Sequence, residues 1–83
     1  MGRTLNVSET GILLETHIQI DTDYTVGLTI GFKEDLITIR GKVVFSKPGQ
    51  EGKFESGIHF FNVDEAGERV LKEFIKAFKS QSV

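Results

Sequence analysis

The 83 residues contain no cysteine. Disulfide staples and thiolate metal sites are thereby excluded, and packing alone must hold the core. Seven phenylalanines, with many Ile, Leu and Val, are available for it. A chain of this length buries only about 60% of its unfolded surface, so modest stability is expected. A surplus of either charge is also lacking: ten basic and twelve acidic residues leave a formal net charge of −2. That balance does not supply the basic face that DNA or RNA phosphates require. No apolar run approaches the roughly 20 residues that cross a bilayer, so membrane insertion is not expected. Met1-Gly2-Arg3 is followed by no apolar leader core, and position 6 is Asn where a myristoylation signal carries Ser or Thr. A cytoplasmic location is the expectation.

Catalytic and metal chemistry are equally thin. His17 and His59 are the only histidines, whereas a zinc site gathers three or four ligands. Asp21-Thr22-Asp23 has the opening residues of a calcium loop without its glycine and closing glutamate. No serine stands in a recognisable arrangement with a histidine and an acid. The expectation is a non-enzymatic chain with no resident cofactor.

What is present is alternation. Ile12, Leu14, Thr16, Ile18 and Ile20 fall on one face of a strand, and Val26, Leu28, Ile30 and Phe32 on one face of the next. Ile37, Ile39, Val43 and Phe45 do the same in a longer run, with Gly41 interrupting the apolar side. Phe54, Ile58 and Phe60 follow after a Pro- and Gly-containing loop at 47–52, expected to be mobile. Then the period changes. Val70, Leu71, Phe74, Ile75 and Phe78 form a helical stripe, preceded by Asp64 as a cap and by Glu65 and Glu68 in the first turn. The pattern predicts strands at roughly 3–8, 11–20, 25–32, 36–46 and 53–62, a helix at roughly 64–79, and a fraying tail at 80–83. The architecture expected is one mostly β domain: a small antiparallel β-barrel or curled sheet with a C-terminal α-helix.

The stretch Asn6-Val7-Ser8-Glu9-Thr10-Gly11 stands out within this frame. Alternation puts the Asn6 and Ser8 side chains on one face. Both residue types bond nearby backbone and close turns. Gly11 offers either positive φ or the close approach of another group. A hairpin turn accounts for all of this without any ligand. Arg40 and Lys42 point together from the long strand, either as a solvated face or as neighbours of a ligand's phosphates.

The six residues also carry the pattern [Asp/Asn]-x-Ser-x-x-Gly, and the order of elements after it resembles the PilZ domain family over nearly the whole chain. The resemblance implies a bacterial module for the second messenger cyclic di-GMP, with Asn6, Ser8 and Gly11 as retained ligand contacts; Arg40 is added to this candidate site from its outward position on the long strand, not from the family motif. An amide and a hydroxyl can bond a base edge, and a glycine lets a ligand lie against the backbone. The family's second motif, Arg-x-x-x-Arg, lies upstream of a further strand, and only five residues precede Asn6 here. The chain is thus either a piece of a longer protein or a divergent member, and weak or absent ligand binding by this chain alone is expected. The other reading is a ligand-independent adaptor that contacts a partner protein. An oligonucleotide-binding barrel is disfavoured by the charge balance and by few outward aromatics. With the family's first strand lacking, the edge at Arg3–Val7 is expected to stand open and to favour a homo-oligomer.

Overall fold

The structure, a computed structural model, describes residues 3–80, the side chain of Phe32 excepted. Strands β1 (Thr4–Val7), β2 (Gly11–Thr16), β3 (Thr25–Phe32), β4 (Asp35–Pro48) and β5 (Phe54–Phe61) precede helix α1 (Glu65–Ser80). All neighbours are antiparallel, in the order β1-β2-β5-β4-β3. The sheet is a curled half-barrel with β1 and β3 at its two edges. Val7, Ile12, Leu14, Leu28, Ile30, Ile39, Val43, Ile58, Phe60 and Leu71 form the buried core on its concave side.

Three expectations need correction. First, β2 stops at Thr16, which pairs with Phe54, the first residue of β5. Beyond it no partner strand remains among the described residues, so residues 17–20 leave the ladder. Ile18 is 71% exposed, although Ile20 still packs on the core. Second, Phe45 does not face inward. Val43 opposes Ile58 and Phe45 opposes Gly57, so Val44 is an extra residue in a bulge. One inserted residue reverses the facing of everything after it. Phe45 therefore turns out, and Ser46 turns in against Ser56. Third, Lys47 and Pro48 belong to β4 rather than to a loop. Proline is tolerated there because β3 pairs only as far as Lys42, which leaves that side of β4 without a ladder to donate to. The turn that follows is closed by Gly49 N–H to Lys53 C=O (2.8 Å) and Lys53 N–H to Gln50 C=O (3.0 Å).

The helix forms as its sequence requires. Asp64 Oδ1 accepts from Gly67 N–H at 2.7 Å, and Glu65 and Glu68 occupy the positive end of the helix. Val70 and Leu71 are buried, while Phe74, Ile75 and Phe78 are half-buried against β3, β4 and the core. The helix runs through Ser80, so only residues 81–83 of the expected fraying tail lie outside the described residues, as does the inward placement expected of the Phe32 side chain.

The departure of the chain from β2 is held by hydroxyl groups. Ile20 N–H donates to Ser46 Oγ (3.0 Å), Ser46 and Ser56 hydroxyls meet at 2.9 Å, Ser56 and Thr16 hydroxyls at 3.1 Å, and Thr16 O–H donates to Ile18 C=O (2.8 Å). Thr16's proton is committed to Ile18, so Ser56 donates to Thr16 and Ser46 donates to Ser56. The protons all run one way along the relay. Ser56 is fully buried. Ser56→Ala is expected to cost about 1–3 kcal/mol, because it leaves the buried Thr16 oxygen without its donor and the half-buried Ser46 proton without its acceptor. A denaturant titration checks this, and an unchanged midpoint would show that the relay adds nothing.

Candidate functional site

The convex side of the sheet carries a shallow groove of about 310 Å³ between the β1–β2 turn and the middle of β4 and β5. Ladder register builds it. Asn6 opposes Leu13, Leu13 opposes Gly57, and Gly57 opposes Phe45, so these four share one outward row. In the next row Gly11 opposes His59, and His59 opposes Lys42. Asn6, Ser8, Thr10, Gly11, Phe45 and His59 all line the groove. Asn6 and Ser8 do point the same way, and both are exposed.

The turn is locally bonded. Ser8 N–H donates to Gly11 C=O at 2.8 Å, and Thr10 N–H donates to Ser8 Oγ at 3.3 Å. The Ser8 and Thr10 hydroxyls lie 3.1 Å apart. Asn6 Oδ1 accepts from Val7 N–H (2.9 Å), so the amide nitrogen and one lone pair of the oxygen are what Asn6 has to offer a ligand. Thr10 C=O accepts from Phe60 N–H at 2.8 Å, which ties the turn to β5.

Gly11 is needed for a reason different from turn conformation. Its φ is not positive; among the described glycines only Gly52 is. A Cβ on Gly11 would instead lie 2.5 Å from the Ile58 carbonyl oxygen. Of the two reasons for a glycine here, close backbone approach is the one that applies. Gly57 is a similar case, since its missing side chain makes room for the Phe45 ring, which lies over it. Lys47 Nζ stands 5.6 Å from the centre of that ring, within cation–π range.

The family model for the PilZ domain matches residues 1–77. The chain belongs to the PilZ domain family. Neither a curated protein nor a solved structure matches it. PilZ domains are binding and adaptor modules of cyclic di-GMP signalling rather than enzymes. No helix among the described residues is long and apolar enough to cross a membrane.

Within this PilZ domain the motif residues Asn6, Ser8 and Gly11 are brought together in the groove. Arg40 is not. It opposes Phe61 on β5 and Gly27 on β3, exposed on the convex side, two residues along β4 from Lys42 and outside the groove lining. Lys42 itself pairs with Asp23 (3.4 Å), and Arg3 pairs with Glu15 (3.4 Å). Phe45, Gly57 and Thr10 join the groove without having been singled out. Thr10 and Gly57 carry no signal beyond adjacency to the motif and the outward phase of β5. Alternation alone places Phe45 inward, because nothing in Val43-Val44-Phe45-Ser46 marks the bulge.

Proposed function

We propose that this PilZ domain meets cyclic di-GMP in the convex groove, and that these residues alone bind it weakly. The observation that carries the reading is the convergence of Asn6, Ser8 and Gly11 with the Phe45 ring and His59 in one groove. An aromatic face takes a stacked base, an amide and a hydroxyl take its edge, and a glycine admits close approach. Positive charge is what the groove has least of. The three arginines, at 3, 40 and 69, are not spaced as Arg-x-x-x-Arg. Arg40 lies outside the groove lining. Bidentate guanidinium contacts, which are the strong kind, are therefore missing.

Calorimetry on the purified chain is expected to give a dissociation constant of about 1 mM or weaker, roughly −4 kcal/mol. Amide shifts on titration should concentrate at Asn6–Gly11, Phe45 and His59. Tight stoichiometric binding would overturn the weak-binding statement, and shifts confined to another face would overturn the groove.

A second reading, a ligand-independent adaptor for a partner protein, is favoured by one observation. The half-barrel leaves β1 and β3 as edges, and β3 has no partner on one side among the described residues. Binding of a partner protein undiminished by Asn6→Ala and Ser8→Ala, in a chain that gives no shifts with cyclic di-GMP, would select it.

A further inference from the structure

The two edges of the half-barrel differ in how they are protected. β1 has four residues, a register irregularity between Thr4 and Asn6, and an ion pair from Arg3 to Glu15 beside it. Short length, irregularity and charge are the usual defences of an edge. β3 has an ion pair beside its start too, from Asp23 to Lys42, but the strand is neither short nor irregular. Its eight residues, Thr25-Val26-Gly27-Leu28-Thr29-Ile30-Gly31-Phe32, contain no charge and no proline, and its register with β4 is unbroken from Thr25 to Phe32.

The direction of its free backbone groups follows from the ladder. Asp23 N–H donates to Val43 C=O and Val43 N–H donates to Tyr24 C=O, with Asp23 at a φ of 68°. Counting on in steps of two, Val26, Leu28 and Ile30 bond to β4. Thr25, Gly27, Thr29 and Gly31 therefore aim their N–H and C=O groups away from it, along the edge. On the concave side Val26, Leu28 and Ile30 form an apolar row, and Val26 and Leu28 continue into an apolar hollow of about 380 Å³ with Ile18, Ile20 and Ile58.

We propose that the free edge of β3 is a self-association surface, where a second copy of this chain adds its own β3 antiparallel about a two-fold axis at Leu28. Only residues of like phase can bond across such an edge, so each residue pairs with one an even number of positions away. Centring on Leu28 uses the whole free length. Thr25 then bonds with Gly31 of the second copy and Gly27 with its Thr29, each pair repeated by symmetry, for about eight hydrogen bonds. Leu28 faces its own copy in an unbonded pair, where side chains approach more closely, and Val26 faces Ile30. On the convex side each threonine meets a glycine, so nothing collides and no like charges oppose. The strand is complementary to itself, which is what an isologous interface requires. This selects a second copy over an unrelated strand as the occupant. It also moves the expected self-association from the β1 edge to the β3 edge.

Light scattering of the purified chain over a range of concentrations should show a monomer–dimer equilibrium. In the dimer the amides of Thr25, Gly27, Thr29 and Gly31 should exchange slowly. Thr29→Pro removes one outward N–H per copy without touching the ladder to β4, and should weaken the dimer by about tenfold or more while circular dichroism is retained. Should that variant fail to fold, Thr29→Lys at an exposed convex position gives a second route: it brings like charges near each other across the two-fold axis and should weaken the dimer, whereas Thr38→Lys on β4 should not. A chain that stays monomeric at every concentration overturns the proposal. So does a dimer in which those four β3 amides exchange freely.

Discussion

Leu71→Ala lowers the unfolding free energy by about 2–5 kcal/mol in a denaturant titration. The reason is the place of this side chain. Leu71 is 1% exposed, and it is the residue by which α1 enters the core cluster of the half-barrel. The sheet is open between β1 and β3, so the helix does much of what further strands do in a closed barrel. Removing three carbons leaves a cavity between two rigid elements that collapses poorly. The total stability of a domain this size is about 4–12 kcal/mol at ~0.05–0.15 kcal/mol per residue, so the loss takes a large share of it. The adjacent Lys72→Ala is a control. Its ion pair with Glu9 spans 3.8 Å between well-exposed side chains, and its removal should cost under about 1 kcal/mol. A Leu71→Ala variant as stable as the control would show that α1 does not close the core.

Gly11→Ala should destabilise by about 1–3 kcal/mol, the range for forcing an atom into filled space. The obstacle is a backbone carbonyl of the neighbouring strand at 2.5 Å from the added carbon, and it cannot rotate aside. Relief requires β2 to move off β5, which carries the motif turn with it. Two comparisons separate this cause from backbone conformation. Gly11→Asn should be at least as harmful as Ala, although Asn tolerates left-handed backbone well. Gly27→Ala should be neutral or mildly stabilising, since its added carbon meets only Thr38 Cγ2 at an ordinary 3.9 Å and loses strand-weakening flexibility. Thermal melts of the three variants decide the matter. A harmless Gly11→Ala would remove the packing explanation. Rescue by Asn would restore the conformational one.

Much of the architecture is legible in the chain. Alternation between polar and apolar residues needs only local geometry, so the strands and their inward faces were readable from Ile12 to Leu14, Val26 to Ile30 and Ile58 to Phe60. The helix was readable to within a residue at each end, because its cap, first-turn acids and apolar stripe are all local. The motif turn was legible too, since Asn6 and Ser8 act on backbone within a few residues of themselves. Strand ends were less so. Residues 17–20 continue the alternation of β2 faithfully, yet they are not strand, because the partner that would bond them begins only at Phe54.

What the sequence determined by itself is thus the type of each element, the inward row of most strands and the location of the Asn6–Gly11 turn. Each follows from interactions between residues close together along the chain. Only the tertiary structure decided the rest. The bulge at Val44 turned Phe45 outward and Ser46 inward, and a bulge depends on what lies across the ladder. The role of Gly11 was settled by a carbonyl 47 positions further along, at Ile58. Arg40 left the groove lining because strand order places Gly27 and Phe61 beside it, not the motif turn. β3 is a longer and more regular edge than β1, and which strands lie at the edges is a property of the sheet. Long-range pairing fixes what faces what, and no local pattern encodes it.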